Sequence, residues 1–419
     1  MKLFDFGMDL FCPTESRGRL VKGLGVALAL LVLGTTPAYG MVGNSDEAFG
    51  LDGSLRTLLL GSRGFSVVGR TYEGLGQGSL RLIAGGSPED WWSYEVHGVS
   101  DVAIRSASFS RVHRPEQGRL RHRSVDTLHR WVDEADERSD VEGSLFVDRA
   151  TVTIRREAFD LTVGRQAISF GTAYFWNPLD VFRPFGATQF DRDYKSGVDA
   201  LRVDIPTDAF SGITVAASPG RGTEEERWDR STGVVRWFTT LDGWDATVQA
   251  GKVLGGYQMG GGVSGDWNGL GLRSELALFK PLEGDSMPQH MTAVVGLGRR
   301  LANDLSVEVE YLYNGAAETP GLKNNVSERA ELVGKGRLLH RSGHLVGGMG
   351  RCELTPILNA TVSALYSISD ESMMVQPGLH LSVSDESDIL LGGMFTRGHA
   401  DTEFGGFPSV LYMQMKSYF

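Results

Sequence analysis

Cysteine is almost missing from this chain, which has two in 419 residues, Cys12 and Cys352. Cys12 lies in a segment read below as removable, so Cys352 stands alone in the mature chain and no intramolecular disulfide is open to it. Long apolar runs are also missing. The longest, residues 24–33, falls well short of the roughly 20 residues that a spanning helix needs. A basic surplus is missing as well: the formal net charge is −11, which argues against nucleic acid as a partner. The nine histidines join no cysteine pair in a zinc-type spacing. Neither a metal nor any other cofactor is expected.

What the chain does have begins at its N-terminus. Arg17, Arg19 and Lys22 precede the short apolar run, and Ala38-Tyr39-Gly40 follows it. That is the order of a signal peptide and its small-residue cleavage site, so residues 1–40 are expected to leave on export. They take four basic and three acidic side chains with them, moving the net charge from −11 to −12. Gly is plentiful, at 55 residues with no collagen-like period, about twice the usual 7%. An exported, glycine-rich chain without a spanning helix is either a secreted all-β protein or an outer-membrane barrel, whose signal per strand is weak.

The C-terminus discriminates between these. In "SVLYMQMKSYF" Leu411, Met413, Met415 and Phe419 fall on one face, with Tyr412, Gln414, Lys416 and Tyr418 on the other. An alternating strand with a terminal aromatic resembles the signature by which bacterial outer-membrane barrels are recognised for insertion. Similar alternation recurs upstream. Residues 147–155 set Ala150, Val152 and Ile154 against Arg149, Thr151, Thr153 and Arg155, and residues 305–313 set Leu305, Val307, Val309, Tyr311 and Tyr313 against Ser306, Glu308 and Glu310.

Eighteen such segments run from 53–61 to 408–419. Their connections sort by parity: the even ones, such as "REAF", "TTLDG", "DWNG" and "SDESD", are short, and most of the odd ones are long. Outer-membrane barrels alternate short periplasmic turns with longer external loops in this way. The expected fold is therefore an all-β, transmembrane, antiparallel up-and-down β-barrel over residues 53–419, with 41–52 as a periplasmic lead-in. Sixteen strands is the alternative count, because 257–266 is a glycine-rich, weak strand and the external connections near 255 and 370 are short.

Two motifs point toward other chemistry and lack its context. Gly260–Gly265 has the G-x-G-x-x-G spacing but no helix after it, so these read as strand glycines. His122-Arg123-Ser124 pairs a His with a Ser, yet sits in the arginine-rich "GRLRHRS" without an orienting third group. No catalysis is expected. The acidic stretches 132–142 and 223–227 read as solvated loops, with divalent cations among anionic headgroups as the sharper reading.

One segment breaks the alternation. Residues 170–196 hold eight aromatics, Phe170, Tyr174, Phe175, Trp176, Phe182, Phe185, Phe190 and Tyr194, beside Pro178 and Pro184. An external loop in water would not be built so; an apolar loop needs a surface to pack on, and the barrel interior is the nearest. Residues 168–196 are therefore expected to fold inward. Phe175, Trp176, Phe182 and Phe185 would pack on the inner wall, while Asp180, Arg183, Asp191, Arg192, Asp193 and Lys195 face water and set a transverse field at the constriction. Lumen-facing strand residues would include Arg149, Arg155, Arg202, Asp204, Arg273, Glu275, Glu308 and Glu310. Bases and acids are nearly balanced there, so no ion preference is read.

Around this segment, Gly164-Arg165-Gln166, Gly171, Asn177-Pro178-Leu179-Asp180-Val181 and "DRDYKSGVDALRV" at 191–203 resemble porin-like outer-membrane families of the alginate-export type and related exported barrels. The resemblance implies a channel in the bacterial outer membrane and permits a polysaccharide role. The expected function is passive diffusion of small polar solutes or ions. Lipid and lipopolysaccharide are the expected surroundings, and a homo-oligomer is open. A closed barrel serving as an assembly or export partner is the competitor.

Overall fold

A computed structural model describes residues 47–66, 69–106, 122, 123, 127, 129–136, 139–186, 193–220, 228–301, 304–334 and 337–419. The segment read as a signal peptide lies outside the described residues.

Nineteen strands form one antiparallel sheet: β1 (Gly50–Ser66), β2 (Gly69–Glu89), β3 (Trp92–Ser106), β4 (His129–Asp136), β5 (Ser139–Arg156), β6 (Phe159–Gln166), β7 (Val198–Asp208), β8 (Ser211–Ser218), β9 (Thr232–Leu241), β10 (Trp244–Val253), β11 (Gly256–Trp267), β12 (Leu270–Pro281), β13 (His290–Arg300), β14 (Leu305–Asn314), β15 (His344–Thr355), β16 (Leu358–Ser367), β17 (Met373–Ser384), β18 (Ser387–Arg397) and β19 (Val410–Tyr418). Eighteen of them make the wall. Each pairs with its neighbour, β3 pairs directly with β5, and β1 pairs with β19 from Ser54↔Tyr418 to Ser62↔Val410, which closes the barrel. β4 is an addition that the alternation did not disclose. Among the described residues it pairs with β5, beside the part of that strand that rises past the end of the short β6.

The parity of the connections holds. At one end the turns are two to four residues, and two of them, Asp242-Gly243 and Asn268-Gly269, have both central residues at positive φ (50° and 77°, 54° and 78°). That is the type I′ geometry whose twist matches paired strands, and Asp-Gly and Asn-Gly are the dipeptides that adopt it readily. Strand β11, the weak one, is present at full length because its glycines are still paired on both sides.

The outward face is apolar. Val152, Val163, Leu201, Val235, Val248, Met259, Leu276, Val295, Val309, Val362, Leu391 and Leu411 are all exposed, and their alternation with inward polar residues is that of a lipid-facing wall. Trp91, Phe210 and Trp267 are exposed near the short-turn end, where aromatic rings suit the headgroup level. The seam uses a glycine. A Cβ on Gly53 would lie 2.3 Å from the Phe419 ring, and the two backbones exchange hydrogen bonds of 2.6 and 3.0 Å. The terminal aromatic therefore sits in a niche that only glycine leaves open.

At the other end most of the connections are long and some are partly folded, although those after β1 and β10 span only two residues each. The one after β14 carries two short helices, α1 (Pro320–Lys323) and α2 (Val326–Gly334). Leu322, Leu332 and Leu338 of that connection pack with Met287, Ala316 and Phe279. Asp285 and Arg337 clamp it with paired hydrogen bonds of 3.0 and 2.7 Å.

Candidate functional site: the loop within the lumen

The connection between β6 and β7 enters the barrel and runs along its inner wall. Its outgoing leg, Ile168 to Phe182, begins on the strands beside it: Ile168, Phe170 and Phe182 pack with Val198, Ala200, Ala216, Val234 and Val253 of β7 to β10. Its tip crosses to the far wall. There Phe175 and Trp176, 4% and 2% exposed, join Val294, Leu312, Leu345, Leu365 and Met374 of β13 to β17, and Phe404 of the last connection. Phe185 is only half-buried, with its ring 5.9 Å from the Lys195 ammonium.

Packing of this kind needs room in the wall, and inward-facing glycines provide it. A Cβ on Gly347 of β15 would lie 2.7 Å from the Phe175 ring, and one on Gly260 of β11 would lie 2.7 Å from Leu179. Gly260 is the first glycine of the G-x-G-x-x-G spacing; its role is close approach of a neighbouring segment, with no nucleotide involved.

An irregular segment in a wall has no ladder to satisfy its backbone, and each buried N–H must find another acceptor. Wall carboxylates supply it. Glu275 of β12 accepts from the amides of Thr172 (2.5 Å), Ala173 (3.4 Å) and Leu179 (3.2 Å). Glu310 of β14 accepts from the amides of Tyr174 and Phe175, the latter at 2.7 Å. Gln249 and Gln258 donate to the carbonyls of Leu179 and Pro178 at 3.1 and 3.0 Å. Within the loop, Gly171 (φ 117°) and the side chain of Asn177, which accepts from the Ala173 amide at 3.0 Å, fold the turn. Those are two of the residues that carried the family resemblance.

Two of the expected lumen residues are thereby corrected. Glu275 and Glu310 are on the inner face, but they are 2% and 0% exposed, because the loop's amides have taken the place of water. The other six remain nearer to solvent. Arg202 pairs with Asp204 (2.7 Å), Arg273 with Glu308 (2.7 Å) and Arg149 with Glu95 (3.2 Å), and Arg155 is exposed toward the short-turn end.

The constriction set is also redistributed. Asp180 and Lys195 form a buried ion pair with each other rather than facing water. Burial pushes the Asp180 carboxyl up to about 6 even though Lys195 pulls the other way, and burial lowers Lys195 against the pull of Asp180. A charge pair closed on itself lends little field to the lumen. Arg183 is half-buried beside Arg123, with one terminal nitrogen lacking an acceptor among the described residues. Asp191 and Arg192 lie outside the described residues. Asp193 does meet water, and it also reaches the seam: one carboxylate oxygen accepts from Lys416 at 2.5 Å, Tyr418 at 3.1 Å and Arg56 at 3.2 Å. Next to it, the Tyr194 ring is held between the guanidiniums of Arg56 and Arg81, 4.4 and 4.2 Å from its centroid.

Some of the site was not visible in the alternation. The β3 and β5 pairing shifts at His97/Gly98, leaving Asp148 unpaired as the extra residue of a bulge. The bulge turns Asp148 inward, where it accepts from Arg81 (3.0 Å) and Arg123 (2.7 Å), while Arg149 keeps the inward phase below it. The acidic stretch 132–142 is not all solvated loop: Glu142 is buried and binds Arg105 and Arg130. Residues 223–227 lie outside the described residues, as does Ser124. His122 and Arg123 serve the wall, donating to or accepting from Gly197, Asp148 and Asp199.

No family model matches the chain, and no curated protein does. Solved structures match its fold. Pseudomonas aeruginosa OccK11 (OpdR) is 10% identical with a TM-score of 0.54, covering 91% of this chain and 98% of that one. OccK5 (OpdH) of the same organism is 9% identical with a TM-score of 0.55, covering 90% and 99%. OccAB4 of Acinetobacter baumannii is 10% identical with a TM-score of 0.54, covering 90% and 100%. At such identities the likeness shows the fold alone.

Proposed function

We propose that this chain is an outer-membrane channel that passes small polar solutes or ions by passive diffusion, with no catalytic step. The observation that carries the reading is the pairing of a closed eighteen-strand wall with a loop held across its lumen by side chains of the opposite wall. Eighteen strands enclose a bore wide enough for water, and an inward loop is what makes such a bore selective by size. The likeness of the whole wall to the Occ structures supports the closed-barrel fold on which this reading rests. Lipid and lipopolysaccharide would surround the apolar outer band.

The narrower resemblance, to alginate-export barrels, would make a polysaccharide the cargo. A loop anchored on both sides of the lumen favours small solutes over a polymer. Reconstitution in a planar bilayer tests the reading: stepwise conductance is the expected result, and a folded barrel that never conducts would support the assembly-partner competitor. Liposome swelling with sugars of increasing size separates small solutes from polymer segments.

A further inference from the structure

Trp176, His340 and Glu403 come from three different connections, those after β6, β14 and β18, and they form one hydrogen-bonded chain. The indole N–H of Trp176 donates to His340 Nε2 at 2.8 Å, and His340 Nδ1 lies 2.8 Å from Glu403 Oε1. All three side chains are buried. The other oxygen of Glu403 accepts from the amides of Arg341 (2.7 Å) and Ser342 (2.8 Å).

The geometry settles where the protons are. An indole nitrogen can only donate, so Nε2 must offer its lone pair, Nδ1 must carry the proton, and the ring in this arrangement is neutral. A second proton on Nε2 would set two N–H groups against each other and break the link to Trp176. The link to Glu403 would survive and gain charge on both sides.

We infer that this chain is an acid-sensitive lock on the constriction loop: protonation of His340 parts the loop's tip from the connections after β14 and β18, while those two stay tied to each other. The inference rests on the channel reading for its consequence, since the tip it frees is the part of the loop that crosses the lumen. Imidazole is the side chain whose charge ordinarily changes between about pH 5 and 8. Other groups face the lock. Burial pushes Glu403 up, but His340 and the two amides outweigh it and hold the carboxyl below its usual range. Asp370 accepts from the Glu403 amide at 2.8 Å behind it, and Arg341 is the neighbour of His340. Glu310 holds the amides of Tyr174 and Phe175 beside Trp176, a second carboxylate contact whose titration must be told apart from that of His340.

His340 is four residues before His344, a spacing that can hold a metal on a helix. Here the chain is in a loop and a strand, and the second ring stacks outside with Tyr311 and bonds its hydroxyl at 2.6 Å. The pair therefore does not converge.

The test uses two readouts on the full-length barrel at about pH 7.5 and about pH 5.5: bilayer current fluctuations, and hydrogen exchange of peptides covering residues 172–182, corrected for the intrinsic rate. Wild type should fluctuate and exchange several times faster in acid. His340→Gln keeps an oxygen for the indole and an N–H for Glu403 but cannot titrate, so it should lose both responses; because Glu310 is intact in it, an acid response of wild-type size would overturn the lock. Trp176→Phe should be loose at both pH values, and a wild-type response there would also overturn it, as would a wild type unmoved in both readouts. Absence of conductance at either pH would defeat the channel reading instead, and the exchange data would still decide the lock.

Discussion

The two ends of the inward loop are held in opposite ways. The outgoing leg, residues 168–182, is fixed through its backbone: four wall side chains, Glu275, Glu310, Gln249 and Gln258, bind amides and carbonyls, and apolar rings fill glycine-cleared space. The return, residues 193–195, is fixed through its own side chains, with Asp193, Tyr194 and Lys195 meeting charged partners. A backbone anchor places its sequence requirement on the wall. A side-chain anchor places it on the loop. The first is dry, and the second meets water at Asp193, whose side chain is 40% exposed.

The largest effect should come from removing the first anchor's cargo. Replacing residues 172–192 with a short Gly-Ser linker takes away the tip while leaving Asp193 to Lys195 and the whole wall. The barrel should still assemble, judged by heat-modifiable migration on gels, and single-channel conductance and the size of sugar admitted should both rise severalfold. Unchanged conductance would mean that the loop does not limit flow.

A second test sets the wall's faces against each other. Val307 and Glu308 are adjacent, the first on the lipid side and the second inside with Arg273 at 2.7 Å. Val307→Arg places a charge on the lipid face three residues into β14, where the cost lies between the about 0–1 kcal/mol of the interface and the about 2–4 kcal/mol of the midplane, so folded yield should fall. Glu308→Arg should fold, and its reversal potential in a salt gradient should move toward anions. Equal folding defects would mean the faces are misassigned.

Next in size is Glu310→Ala. It removes the carboxylate that the amides of Tyr174 and Phe175 share, at about 1–3 kcal/mol for a buried group that loses its partner. The loop's tip should come free, raising current noise while the wall stays intact, and hydrogen exchange at residues 174–175 should show it directly. No change in exchange would mean that ring packing alone holds the tip.

The wall was readable in the chain because period-two alternation and short turns are local properties. All eighteen wall strands and the end at which the connections are long follow from them, down to Asp242-Gly243 and Asn268-Gly269. The inward course of an aromatic, proline-bearing segment was readable because apolar rings need a surface. What alternation could not disclose was which inward charges remain in water. Glu275, Glu310, Asp180 and Lys195 have the right phase or polarity for a lumen, but they are buried by contacts from residues up to 136 positions away, and no local pattern encodes those. Gly347 and Gly260 were the available hint: an inward glycine in a strand marks a close approach. The bulge at Asp148 inserts one residue into a regular pattern and left no sign before pairing was known.

The smallest effect on stability, and the sharpest test of the contrast, is expected from Asp193→Asn. Its carboxylate is 40% exposed and gathers Arg56 and Lys416 from the two strands of the seam. Exposed ion pairs contribute only about 0–1 kcal/mol, so the melting of the barrel should hardly move. Its electrostatic effect should be larger than its structural one. Removing one negative charge takes the carboxylate shared by Arg56 and Lys416 out of the balance at the edge of the lumen, where low-dielectric walls strengthen the field of the charges that remain. Reversal potentials should shift toward anions, and the shift should shrink at high salt as screening shortens. If melting instead falls as far as in Glu310→Ala, the return leg is a structural anchor equal to the outgoing one, and the division between a dry leg that shapes the bore and a wet leg that faces the solute is wrong.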